Sequence, residues 1–144
     1  MDEFWYRKFI FNFDFDLYVS IHRAIMVTIK NFEDLEIWNL ARELVSQIYS
    51  DFKDCKDYVF MNQITSAGIS IMNNISEGFG RNSNPEFRKF LGYSKGSAAE
   101  VKNMYYIAED LSYISSDIAE LRRQKCQRII KGTGSMISYL KFSR

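Results

Sequence analysis

Apolar side chains recur at three- and four-residue steps from Asn31 almost to the end of the chain. Leu35, Trp38, Ala41, Leu44 or Val45, Ile48 and Phe52 make the first stripe. Such spacing places them on one side of a helix. Asn31 suits an N-cap, and Glu33, Asp34 and Glu36 suit the positive end of the helix dipole. Residues 53–57 are short, polar and helix-ending. A second stripe, Met61, Ile64, Ala67 or Gly68, Ile71 and Ile75, predicts a helix over residues 59–76. Gly78 and Gly80 sit just past its end, where glycine tolerates left-handed backbone. Asn84, Pro85 and Glu86 spell a helix start. Phe87, Phe90 or Leu91, Ser94, Ala98, Val101, Tyr105, Ala108 and Leu111 continue it. A fourth helix begins near Ser116 or Asp117, where Asp117 and Glu120 resemble a capping box. Ile118, Leu121, Ile129 or Ile130, Met136, Ile137 and Leu140 mark its apolar side. Four amphipathic helices with short links predict an all-α, antiparallel up-down four-helix bundle.

Residues 1–25 have another character. They hold eight of the 23 aromatic residues, and Phe9, Phe11, Phe13 and Phe15 alternate with Ile10, Asn12 and Asp14. A period of two favours a strand, which a helical protein cannot pair. These residues read as an N-terminal extension, poorly ordered or an upstream mis-start, with Met26 as the natural start. The bundle domain is then residues 26–144.

Composition narrows the chemistry. One His and two Cys leave no metal-ligand cluster, so neither metal nor cofactor is expected. Cys55 and Cys126 read as free thiols in a reducing cytoplasm. No apolar run is long enough for a membrane helix. Lys95, Gly96 and Ser97 lack the preceding glycine-rich turn of a phosphate loop. Gly96, inside a helix, predicts a close helix crossing. The reading is therefore non-enzymatic.

Charge is unevenly distributed. Residues 31–120 carry 8 basic and 14 acidic residues, a balance of −6, whereas residues 121–144 carry seven basic residues and no acid. Arg122, Arg123, Lys125, Arg128 and Lys131 are the candidate phosphate contacts for RNA. The other reading has this basic helix pairing with acidic surfaces of the first three helices. A second constellation is Asn74, Glu77, Arg81, Lys95 and Ser97. It reads first as a structural polar network or a subunit contact, second as a ligand pocket, and last as a catalytic site with Glu77 as base.

Residues 63–100, with Asn74, Ile75, Ser76, Glu77 and Gly78, then Arg81, Phe87, Phe90, Leu91, Lys95, Gly96 and Ser97, resemble a known family. It is the four-helix bundle family first noticed in intervening sequences of 23S ribosomal RNA. Residues 32–49 look like that family's first helix. The resemblance implies a bundle that assembles as a ring, commonly a homopentamer. It also implies kinship with the accessory variability determinant of diversity-generating retroelements, a basic pentamer that binds a reverse transcriptase and nucleic acid. Where many members carry arginine just after the position of Ile64, this chain has Thr65 and Ser66. The resulting expectation is a non-catalytic homo-oligomer that binds RNA or a nucleoprotein partner through its basic last helix. The alternative is a protein–protein scaffold that does not bind nucleic acid.

Overall fold

The computed structural model describes residues 29–142. The chain divides at Lys30, and Asn31–Arg144 form the helical unit considered below. The expected strand and extension over residues 1–25 lie outside the described residues. The described residues contain a short 3-10 turn, Phe32–Asp34, and four α-helices, with no strand among them. The helices are α1 (Glu36–Asp51), α2 (Tyr58–Gly80), α3 (Asn84–Asp110) and α4 (Ser116–Phe142).

Local chemistry explains most of these boundaries. Asn31 does not cap α1; it opens the 3-10 turn, where its N–H donates to the Asp34 carboxylate at 3.1 Å. Phe32 then packs edge-on against Trp38 at 5.1 Å between ring centroids, fixing the chain's entry into α1. Asp57 caps α2 by accepting the Phe60 N–H at 3.0 Å. Pro85 sits in the first turn of α3, as its fixed φ and missing N–H favour. Ser115, not Asp117, precedes α4, and its carbonyl accepts the Ala119 N–H at 2.9 Å.

The core is shared by all four helices. Leu44 and Ile48 of α1, Ile64, Ile71 and Ile75 of α2, Leu91 and Val101 of α3, and Ile129 of α4 are fully buried. Contacts between sequence neighbours run in opposite order along the two partners. Phe52 meets Phe60, while Ile48 meets Gly68. Ser97 bonds Ser70, and Phe90 lies against Gly78. Lys102 bonds Gln127, and Lys95 approaches Gly134. The last helix returns to the first, with Asp51 beside Arg122 and Ile37 beside Gly132.

Three expectations are corrected. α2 continues through Gly78 and Gly80, and no described glycine has positive φ. Gly78 is instead a contact point: a Cβ there would lie 2.6 Å from Phe90 Cβ. The left-handed residues are Asn82 (φ 54°) and Ser112 (φ 56°), beside the α2–α3 and α3–α4 connections. Gly96 is exposed with nothing within 4 Å of its missing Cβ, so no helix crosses there. On α4 the buried residues are Ala119, Arg123, Cys126, Ile129, Thr133 and Leu140, while Ile118 and Leu121 face outward.

Candidate functional site

The five basic candidates on α4 divide by their neighbours. Arg122 makes a two-pronged bond to Asp51, Nε to Oδ2 at 2.7 Å and Nη2 to Oδ1 at 2.9 Å. The Asp51 side chain is 7% exposed and that of Arg122 18%, so water screens this pair little. The Tyr105 hydroxyl donates to the same carboxylate at 2.9 Å. Burial, reinforced by the charge on Asp51, pushes the Tyr105 phenol far above its usual range. Arg123 is buried between Glu109 and Glu120, and its guanidinium lies 4.2 Å over the Tyr106 ring. Burial opposes its charge, and the two carboxylates more than offset that.

Lys125 bonds Glu43 at 2.7 Å, and Arg128 reaches Glu36 at 3.3 Å in an exposed pair. Lys131 is exposed and forms no ion pair among the described residues. The expected band of free phosphate-binding cations is thereby reduced to Lys131. The physical reason is that α1 returns three carboxylates, Glu36, Glu43 and Asp51, along the edge of α4 that carries Arg128, Lys125 and Arg122. A phosphate arriving there would have to displace an existing carboxylate.

The second constellation also separates. Asn74 Nδ2 donates to the Ser70 carbonyl at 2.8 Å and lies 3.0 Å from Ser70 Oγ, which bonds Ser97 Oγ at 2.9 Å. Asn74 and Ser97 thus belong to one latch between α2 and α3, with Ser70 as the missing link. Buried Ser94 adds a bond to the Ile71 carbonyl at 3.1 Å. Glu77 pairs instead with Arg81, one turn on, in the open. The Arg81 guanidinium also lies 5.3 Å over Phe90. Lys95 turns toward α4, where its Nζ is 3.9 Å from the Cβ position of Gly134. Glu77 and Lys95 therefore do not share a pocket with Asn74.

Other chemistry is sparse among the described residues. No group of three His, Cys, Asp or Glu converges to hold a metal. No described helix is long and apolar enough to cross a membrane. Both cysteines are free, and burial pushes the Cys126 thiol up to about 12. Sequence reading placed Ser94 and Tyr105 on the inner stripe of α3 but missed their polar contacts, and it missed Asp51 and Ser70. A signal existed for Ser70, which lies one helical turn before Asn74; none marked Asp51.

The carboxylates predict a pH dependence. The Lys125 bond holds Glu43 below the usual carboxylate range, and the Arg123 bond, aided by Ser116, does so for Glu109. Gln124 and then Arg123 lower Glu120; the Phe60 N–H and then the Tyr113 hydroxyl lower Asp57. A lowered folded-state value means that the unfolded chain binds protons first as pH falls. Stability should be level above about pH 5 and decline as pH drops through about 4 and below. Thermal melts across that range check this, and a melting temperature unchanged at about pH 3 would contradict it.

The fold and this surface define a class: small helical modules held by buried stripes and inter-helix ion pairs. A family model for the 23S rRNA-intervening sequence protein matches residues 33–135, and the chain belongs to that family. Among solved structures, the chain is similar to a crystal structure from Bacteroides thetaiotaomicron VPI-5482, of the S23 ribosomal protein family and of unknown function. The two share 24% identity at a TM-score of 0.66, over 70% of this chain and 97% of the other. That likeness concerns the fold. Among proteins of curated function, none matches this chain.

Proposed function

We propose that this chain is a non-catalytic assembly module of the cytoplasm. It is an antiparallel up-down four-helix bundle that closes with copies of itself into a ring, a homopentamer by its resemblance. It works by presenting surfaces to a protein partner and not by turning over a substrate. The observation that carries this reading is the engagement of Arg122, Arg123, Lys125 and Arg128 with Asp51, Glu109, Glu120, Glu43 and Glu36. Those cations hold the module's own helices together. Exposed apolar residues support the assembly. Tyr58 and Val59 are each 77% exposed, and Leu111 is also exposed, at the end where Asp57, the cap of α2, meets Tyr113 beyond α3. Apolar rings and branches left in water are natural subunit contacts.

Reversed pairing of neighbouring helices supports the up-down arrangement. Glu77, half exposed and paired with Arg81, lacks the desolvated setting of a general base. The free thiols agree with a reducing compartment. Native mass spectrometry tests the proposal. The expected species has about five times the 17.0 kDa chain mass, and a chain that stays monomeric at micromolar concentration would overturn it.

A further inference from the structure

The other edge of α4 has the opposite electrostatic character. Along the α3–α4 seam, Arg123 lies over Tyr106, Lys102 Nζ bonds Gln127 Oε1 at 2.8 Å, and Lys95 approaches Gly134. Continuing that reversed order by one heptad predicts Arg88 opposite Lys141. Arg88, Lys95 and Lys102 repeat every seventh residue, so they share one side of α3. Lys131 is one turn from both Gln127 and Gly134 and shares their side of α4.

None of these five cations forms an ion pair among the described residues. Arg88 Nε is buried without a hydrogen-bond partner there. Exposed positions of α3 beside them include Gly92, Gly96, Ala99 and Asn103, and nothing lies within 4 Å of either missing glycine Cβ. The seam is open and low-walled. One edge of α4 is neutralised by α1; on this edge only Arg123, at one end, meets carboxylates, Glu109 and Glu120, whereas Lys102 and Lys95 meet an amide and a glycine. Like charges gathered across a helix pair cost stability. An external anion along the seam would remove that cost.

We propose that the α3–α4 seam binds the phosphodiester backbone of a single-stranded nucleic acid, with Arg88, Lys95, Lys102, Lys131 and Lys141 as its phosphate contacts. From Lys102 to Arg88 the seam runs two heptads, about 21 Å. That length matches roughly six phosphates of a stacked strand at about 3.4 Å each. An aromatic ring sits at each end, Tyr106 under Arg123 and Phe142 beside Lys141, the latter 70% exposed. Exposed rings beside cations are stacking platforms for bases. An acidic amphipathic helix would need large apolar anchors at helical spacing, and glycine and alanine stand there instead. The two proposals have separate readouts, subunit number for the assembly and RNA affinity for the seam, so either can fail alone.

Fluorescence anisotropy with a labelled oligo(U) RNA of about 20 nucleotides tests it, at about 50 mM salt and upward. The parent should bind, and Lys95→Ala/Lys102→Ala/Lys131→Ala should bind at least about tenfold more weakly. Its log–log salt slope should be shallower by about 2, near 0.7 for each lost contact to a single strand. Arg128→Ala, on the α1 edge, should bind like the parent. Lys131→Glu, at an exposed position, is the companion variant, expected to weaken binding about fivefold without unfolding the chain. A parent that ignores the RNA, or Lys131→Glu and the triple variant both binding like the parent, would overturn the proposal. So would equal displacement of the RNA by polyglutamate at matched charge, which would assign the seam to acidic proteins.

Discussion

Arg122→Ala should lower the unfolding free energy by about 3 kcal/mol, the low end for breaking a buried ion pair. The loss arises from what is left behind. Asp51 would keep its negative charge in a site that is 7% exposed, with only the Tyr105 hydroxyl still donating to it. Uncompensated buried charge is far more costly than the net contribution of the intact pair. The melting temperature should fall by about 10 °C or more for a domain of this size. Arg128→Ala, in an exposed pair, should cost at most about 1 kcal/mol. Equal losses for the two variants would show that burial does not set the scale. Denaturant melts of both proteins read the difference directly.

Gly78→Leu should destabilise by about 3 kcal/mol, because α2 and α3 touch at that point. A Cβ would lie 2.6 Å from Phe90 Cβ and 2.9 Å from the Phe87 ring, and Phe90 Cβ is fixed to the α3 backbone. The helices would have to separate. Gly96→Ala is the counterpart with the opposite sign. Its Cβ would meet nothing, and a helical, exposed Gly→Ala should gain about 0.5–1 kcal/mol. Urea unfolding of the two variants should move the midpoint in opposite directions. Movement in the same direction would mean that the α2–α3 contact is misplaced.

The first three helices were legible because Leu, Ile and Phe mark their buried sides. Leu44, Ile48, Ile64, Ile71, Ile75, Leu91 and Val101 lie where their periodicity put them. α4 was less legible for a physical reason. Its buried side runs through Ala119, Cys126 and Thr133, and includes Arg123. None of these stands out as apolar in a sequence, whereas exposed Ile118 and Leu121 do. Small residues suit the inner side of α4 because its neighbours come close: Ile37 Cγ2 would be 2.7 Å from a Cβ at Gly132.

The charge segregation was equally visible, and pairing with the acidic surfaces of the first three helices was one of its two readings. Deciding it needed the knowledge that α1 and α4 are neighbours in reversed order. That brings Asp51 to Arg122 across 71 positions, and Glu43 to Lys125 across 82. The polar residues around Asn74 were legible only in part, for a related reason: Ser97 joins Asn74 through Ser70, but Glu77 and Lys95 stand apart. Chemistry suggested Arg81, Lys95 and Ser97 as donors; Arg81 does pair with Glu77, but in the open, while helix rotation gave Lys95 to α4. Ser70, an inconspicuous hydroxyl, took the central place in that latch.

A double-mutant cycle on Asp51→Asn and Arg122→Gln probes most directly whether the α1 edge of α4 is committed to holding the fold. Stability of the parent, the two single variants and the double variant isolates the interaction between the two side chains. A coupling energy of about 2 kcal/mol or more, with the double variant more stable than the single losses add up to, is the expected result. Purely additive losses would mean that Arg122 is free to serve another partner, and the division of α4 into a bonded edge and an open one would not stand.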